Sequence, residues 1–294
     1  MKIFNQIIKG VTTAVGCSCL AFNCAAFAAD VSFRPSKLEA VFYEIGFRNS
    51  SSGKFVSAFA NSSGVTIDLF QPITLSSTSA HYLQNVMRRK KGDKVIVFDG
   101  KSGEYEAEIK YMSRGTVTLE PKKKLAEISR PEDIWVAFTP IKKIGTHFVI
   151  EKCTEIGVRK IFPIFTEHSE NKNLRIDKWK LNSIEAVEQC GGNFIPEIRE
   201  NTSLGEFVDN FPEDRKLIFC NEVVKEPNLR EIFTKDNFSK ACILIGPEGG
   251  FSDKEREMLS SRKNIYSVSL GARILRAETA VTVALAVWHS HFST

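Results

Sequence analysis

A chain of 294 residues suffices for one large domain or two ordinary ones, and 43% apolar with 26% charged residues excludes a disordered or fibrous protein. Lys and Arg number 40 against 35 Asp and Glu, and the net charge of +5 permits a nucleic-acid partner without requiring one. No apolar run is long and clean enough to predict a membrane span.

The N-terminus has the layout of a secretory signal peptide. Lys2 and Lys9 precede the weakly polar stretch 11–27, and Ala26-Phe27-Ala28 follows as a small-residue cleavage pattern. The other reading is an inherited extension in front of a cytoplasmic enzyme. Residues 30–53 read as a strand-rich fragment ending in a Ser/Gly linker, so 1–53 is set apart as an unassigned extension. Asn49-Ser50-Ser51 and Asn61-Ser62-Ser63 match the short glycosylation pattern. There are 7 Cys; Cys17, Cys19 and Cys24 lie in the extension, and Cys153, Cys190, Cys220 and Cys242 are scattered singly. With no CxxC pair, they predict reduced thiols rather than a zinc site or a disulfide framework, and no metal is expected.

Residues 54–124 predict a small β-barrel with one helix. Strand-like runs occupy 65–69, 95–98, 105–109 and 116–119, with turns at Lys91-Gly92-Asp93 and Asp99-Gly100. A helix is expected over 80–89 with Leu83, Val86 and Met87 on one face, and a hinge at 121–124. From 125 onward strands and helices alternate: strands over 134–138, 160–165, 216–220, 242–245 and 267–270, helices over 146–156, 175–190, 253–261 and 277–289. That alternation predicts an α/β domain with a parallel sheet covered on both faces.

Four stretches carry candidate chemistry. Ile245-Gly246-Pro247-Glu248-Gly249-Gly250-Phe251 follows a strand and precedes a helix, where parallel sheets bind ligands and where glycines let backbone approach closely. It matches neither GxGxxG nor a P-loop, and Glu248 disfavours phosphate while tolerating a cationic ligand. An ordinary strand-to-helix turn explains this stretch equally well when it is taken alone. Leu270–Ala280 places Ile274 and Leu275 between Arg273 and Arg276, a pattern suited to a pocket with an apolar floor and polar walls. Glu278 and Thr279 follow in the first helical turn, where an acid is also favoured by the helix dipole alone. Arg88, Arg89, Lys90 and Lys91, with 122–124, Lys142 and Lys143, form a basic surface suited to phosphate contacts or simply to solvent. Glu188, Gln189 and Asn193 could line a polar site, although a helix C-cap accounts for Gly191 and Gly192.

Together these stretches resemble the SPOUT-class RNA methyltransferases, and within them the ribosomal RNA small-subunit methyltransferase E family. The resemblance covers 54–294. It is carried by LIGPEGGFSDKE (244–255), LGARILRAETA (270–280), EKCTEIGV (151–158) and EAVEQCGGNFIPEI (185–198), with 81–109 similar to the family's PUA-like barrel. It implies a C-terminal trefoil-knot domain that binds S-adenosylmethionine, a homodimer, and methylation of N3 of a uridine in 16S ribosomal RNA, free or within the small subunit. The implied cofactor residues are Phe219 and Cys220; Ile245, Gly246, Pro247, Gly249 and Gly250; and Leu270, Gly271, Ile274, Leu275 and Thr279. Arg276 is the expected stabiliser of a uridine anion, with Glu278 or Glu248 as proton acceptor. Arg88, Arg89, Lys90, Lys91 and Lys142 are expected to hold RNA. The chain departs from the family pattern at Gly192 and His168, where Arg is common, and at Ala272, where Pro is usual. Rival readings are ribose 2′-O methylation, a non-catalytic RNA-binding homologue, and an exported binding protein. An enzyme of ribosomal RNA is expected in the cytoplasm, against the signal-like N-terminus.

Overall fold

The computed structural model describes residues 67–75, 77–170, 174–222, 227–235 and 238–292, together with the backbone of four short strands between 43 and 61. The signal-like segment, the three cysteines within it and the linker at 50–53 lie outside the described residues.

The four short strands are Tyr43–Glu44 (β1), Phe47–Asn49 (β2), Phe55–Ala58 (β3) and Ala60–Asn61 (β4). Next come Ile73–Thr74 (β5), the helix Ser77–His81 (α1) and a π-helical turn at Tyr82–Val86, then Lys94–Phe98 (β6), Glu104–Ser113 (β7) and Thr116–Ala126 (β8). A six-stranded sheet runs β2-β3-β6-β7-β8-β5, with only the β3–β6 pair parallel. Residues 47–49, assigned by sequence to the extension, therefore pair into the barrel sheet. The alternating pattern of β7 and β8 sends Tyr105, Ala107, Ile109, Val117 and Leu119 inward, where they pack with Ile67, Leu83, Val95 and Val97.

Three expectations fail in this region. The strand expected over 65–69 is not formed in its described part, where Leu69-Phe70 is a turn and Phe70 has φ of +64°; β5 follows instead. The helix expected over 80–89 leaves α-geometry after His81, with Met87 N–H donating to the Tyr82 carbonyl at 3.0 Å. This wider turn keeps Leu83 in the core but leaves Val86 48% exposed, so the predicted face does not form. The lysines at 122–124 are no hinge: they continue β8 opposite β7. A bulge at Pro121, where a residue without an N–H fits, starts that continuation.

The second half comprises Asp133–Phe138 (β9), Lys143–Ile156 (α2), Lys160–Phe165 (β10), Ile176–Cys190 (α3), Glu197–Ile198 (β11), Thr202–Ser203 (β12) and Leu204–Asp209 (α4). After these come Lys216–Cys220 (β13), Leu229–Lys235 (α5), Lys240–Ile245 (β14), Asp253–Ser260 (α6), Ile265–Val268 (β15) and Ala277–Phe292 (α7). The sheet is parallel throughout, ordered β11-β10-β9-β14-β13-β15 with β12 also on β10. The last strand starts and ends two residues earlier than its apolar pattern predicts. Central strands read as unbroken apolar runs because both faces are covered: residues 241–245 are all buried, under α2 and α7 on one face and around Phe207, Phe219 and Phe251 on the other.

Arg215 closes the N-terminal end of this sheet. Its guanidinium donates to the Asp133 carboxylate at 2.7 Å and to the carbonyls of Asp133 and Ala241, and lies 3.6 Å from the centre of the Trp135 ring. The opposite, carboxyl end of the strands is left to loops. The two halves of the chain join through Ile96 and Phe98 of the barrel, which pack on Ile184 and Val187 of α3. Asn193 reinforces the join, accepting from Ser129 N–H at 2.9 Å and donating to the Glu127 carbonyl at 3.0 Å.

Candidate functional site

At the carboxyl end of β13, β14 and β15, three loops wall a cavity of about 340 Å³. The position is where open parallel sheets bind ligands. Cys220 comes from the first loop, and Ile245, Gly246, Pro247, Glu248, Gly249 and Gly250 from the second. Leu270, Gly271, Ile274, Leu275 and Arg276 come from the third. The structure thus brings together most of the residues singled out in two motifs 25 residues apart.

Three of the singled-out residues stand outside this wall. Phe219 is wholly buried one layer beneath, its ring edge-on to Phe251 with centroids 4.9 Å apart. Thr279 is exposed on α7, and Glu278 turns toward Gly145 of α2. Residues that sequence reasoning missed also line the cavity: Asn221 and Glu222, which only follow an apolar strand, and Phe251 and Arg273, present in the motifs but not assigned to the site.

The second loop owes its shape to packing. A Cβ on Gly246 would come 2.5 Å from Cε2 of Phe251, so the ring folds onto bare backbone. Gly250 has φ of +66°, the left-handed region that favours glycine, and Glu222 Oε1 lies 2.7 Å from where a Cβ would stand. α6 then starts with a capping box, Ser252 and Glu255 each bonding the other's backbone N–H. The second Glu255 oxygen accepts from Glu167 N–H at 2.9 Å, tying in the loop after β10.

Arg256, in the first turn of α6, clamps two of the walls. It donates to the Phe251 carbonyl at 3.1 Å, to Asn221 Oδ1 and to Glu222 Oε1. Burial pushes the Cys220 thiol up to about 12, so it is neutral and unreactive at physiological pH. The cavity therefore combines apolar walls, bare glycine backbone, the carboxylates Glu222 and Glu248, and the cations Arg273 and Arg276 at its exposed margin. Among the described residues no cluster of His, Cys, Asp or Glu could hold a metal ion.

The basic surface lies on other elements. Arg88 is exposed with φ of +50°, Arg89 sits 4.0 Å from Asp93, and Lys90, Lys91 and Lys142 are exposed. Lys122 and Lys124 are each paired with a glutamate, Glu120 and Glu127. The polar group expected around Glu188 and Asn193 forms the seam between barrel and α3: both are buried, and the Tyr82 phenol is pushed up by burial and by the Glu188 charge.

Comparison with known proteins supplies the context of this geometry. Residues 129–289 match the family description of an RNA methyltransferase domain, and residues 75–122 that of an RNA methyltransferase PUA domain. The chain is 34% identical over 248 residues to the ribosomal RNA small subunit methyltransferase E of Synechocystis sp., covering 81% of this chain and 80% of that protein. It is 31% identical over 212 residues to the Rickettsia conorii protein of the same name, covering 72% and 86%. The crystal structure of the Neisseria gonorrhoeae ribosomal RNA small subunit methyltransferase E, bound to S-adenosyl methionine, superposes with a TM-score of 0.67 at 25% identity. That match covers 77% of this chain and 94% of that one. Among the described residues no helix is long and apolar enough to cross a membrane.

Proposed function

The chain belongs to the ribosomal RNA small subunit methyltransferase E family, and from that premise we propose that it methylates N3 of a uridine in 16S ribosomal RNA with S-adenosylmethionine as donor. The observation that carries the proposal is the single cavity walled by the loops after β13, β14 and β15.

The residues present fit the donor. Gly246 and Gly250 leave backbone that a Cβ would block, which suits close approach by a flat or extended ligand. Ile245, Leu270 and Leu275 offer apolar surface to a purine, and Glu222 and Glu248 face the positive charge of a sulfonium and an amino group. When bound, S-adenosylmethionine supplies an electrophilic methyl group, chemistry that belongs to the cofactor itself. The trefoil knot is part of the same reading, because such a path gathers three loops around one donor.

The chain's own contribution is orientation and charge. Uridine N3 carries a proton and becomes a competent nucleophile on losing it. Arg276, at the cavity margin, stabilises the resulting anion through O2 or O4. Glu248 lines the cavity and is the proton acceptor in this reading; Glu278, turned toward α2, is the second candidate. Because N3 lies on the Watson–Crick edge, the target is unpaired or flipped out. Arg88, Lys90, Lys91 and Lys142, exposed and with no ion pair among the described residues, hold flanking RNA through its phosphates, with Arg89 beside them. Such an enzyme meets its substrate in the cytoplasm.

A homodimer belongs to the proposal too. Ile144 is 87% exposed and Phe148 40% exposed one turn apart on α2, and Ile274 is 83% exposed beside the cavity. A second copy would cover such apolar side chains. Sedimentation equilibrium tests this, and a monomer at all concentrations refutes it.

Nucleoside mass analysis of 16S ribosomal RNA from cells lacking this gene tests the reaction. Loss of one N3-methyluridine supports it. Loss of a 2′-O-methyl nucleoside instead would assign ribose methylation, and no loss, with no donor binding by calorimetry, would assign a non-catalytic RNA-binding protein.

A further inference from the structure

We infer that His168, near the start of the loop after β10, is a positioning residue that fixes the Gly249-Gly250 backbone and so holds the donor cavity in shape. Nothing in its loop or in the motifs assigns it this role. Its Nδ1 lies 3.0 Å from the carbonyl oxygen of Gly249 and 3.2 Å from that of Gly250. Carbonyl oxygens only accept, so Nδ1 carries the proton and donates a shared hydrogen bond to both. The imidazole also sits over the first of the two glycines: a Cβ on Gly249 would come 3.2 Å from the Cβ of His168.

The need for such a residue follows from the glycines. Two consecutive residues without Cβ let the peptide between them rotate at little steric cost. Gly250 N–H already bonds the Pro247 carbonyl at 2.9 Å, which closes the turn and orients the Gly249–Gly250 peptide but leaves the Gly250 carbonyl to be placed. In a trans peptide the N–H points away from its C=O, so holding the Gly250 carbonyl toward His168 also fixes the N–H of Phe251 on the other side, while the bond to the Gly249 carbonyl braces the peptide that the turn has set. Both glycines line the cavity, and Arg256 holds the next residue by donating to the Phe251 carbonyl at 3.1 Å. The carbonyls of 249–251 are thus held by two residues, His168 on the first two and Arg256 on the third. The loop of His168 is itself anchored by Thr166 N–H on Ser169 Oγ at 2.7 Å and by Glu167 N–H on Glu255.

This role rests on the donor site proposed above, and its test separates the two. The exposed imidazole makes His168→Ala compatible with folding. The expected result is roughly three- to tenfold weaker S-adenosylmethionine binding by calorimetry, the range of one hydrogen bond, with the KM for RNA unchanged. His168→Asn, whose amide N–H can take the place of Nδ1–H, should restore binding, and His168→Gln, with its amide one bond further out, should not. In the ligand-free protein, hydrogen exchange at the amides of 249–251 should quicken in His168→Ala. Nitrogen-15 spectra of the wild type should show the Nδ1–H tautomer. Unchanged affinity and exchange in His168→Ala, or an Nε2–H tautomer in the wild type, would overturn the inference. A wild type that binds no donor would instead refute the proposed function, with exchange and tautomer still deciding the role of His168.

Discussion

The Phe251 ring rests on the Cα of Gly246, so closely that a Cβ on the glycine would lie 2.5 Å from the ring. Phe219 stands edge-on behind that ring, in a fully buried layer, so the ring has nowhere to retreat. Gly246→Ala must therefore push the loop outward, into the cavity it walls. Overpacking of this kind costs ~1–3 kcal/mol. Thermal unfolding should register that loss, and calorimetry should show donor affinity falling by more than tenfold. A fully stable Gly246→Ala protein with normal affinity would mean that the ring packs elsewhere.

Arg256 offers a second test because it stands outside the cavity wall and bonds three residues within it. It joins Asn221 and Glu222 of one wall to Phe251 of another through a single planar fork. Lysine cannot reproduce three directed N–H groups. Arg256→Lys and Arg256→Ala are both expected to weaken donor binding several-fold while leaving secondary structure intact, as circular dichroism would report. Restoration by lysine would reduce the interaction to simple charge.

How much of this was legible beforehand follows periodicity and packing. The parallel sheet was legible because strands covered on both faces read as apolar runs, as at 134–138 and 242–245. Two of the three site loops were legible from the glycines and arginines at 246–250 and 271–276, and the third, after Cys220, through the family resemblance alone. Asn221 and Glu222 were not, since a polar pair after a strand has no spacing to mark it and acquires meaning only when Arg256, 34 residues from Glu222, folds beside it. Val86 was misplaced because the helix period assumed α-geometry through a π-turn. The lysines at 122–124 were misread as a hinge because pattern alone cannot see that β7 is long enough to pair with them.

Cys220 lines the cavity, and its neutral thiol gives a pH prediction. Burial raises it from an ordinary value of 9.0 to about 12. The folded state therefore keeps a proton that the unfolded chain releases first. The associated stability is fully present below pH 9 and is lost as pH rises through about 12. Cys220→Ser should keep most methyl-transfer activity, because a thiol in this state is no nucleophile. Iodoacetamide should leave Cys220 unmodified at pH 8 while labelling the exposed Cys190, as peptide mass analysis would show.

Asn193 carries the junction between barrel and sheet domain with one side chain that both accepts and donates. It is buried, so Asn193→Ala strands the Ser129 N–H and the Glu127 carbonyl. Ser129 and Glu127 are themselves exposed, so water takes over part of each lost bond and the expected cost is that of ordinary hydrogen bonds, ~0.5–1.5 kcal/mol each. Chemical denaturation should show that loss. Donor affinity should stay within twofold, because the cavity is built from the loops beyond β13, β14 and β15 and the start of α7, none of which Asn193 touches.

Arg276 separates binding from chemistry. It lies at the exposed margin of the cavity, on the last residue before α7, and its carbonyl already accepts the first helical bond, from Ala280 N–H at 2.8 Å. That main-chain bond does not depend on the side chain, so Arg276→Ala leaves the helix start in place. If it stabilises the developing uridine anion, Arg276→Ala keeps donor affinity within a few-fold but lowers single-turnover methylation by about 100-fold or more, as for loss of one oxyanion donor. Raising the pH should recover part of the rate in Arg276→Ala, since hydroxide then removes the N3 proton that the cation otherwise helps to release. Near-wild-type turnover in Arg276→Ala would remove the residue from the reaction and shift attention to Arg273, on the same loop.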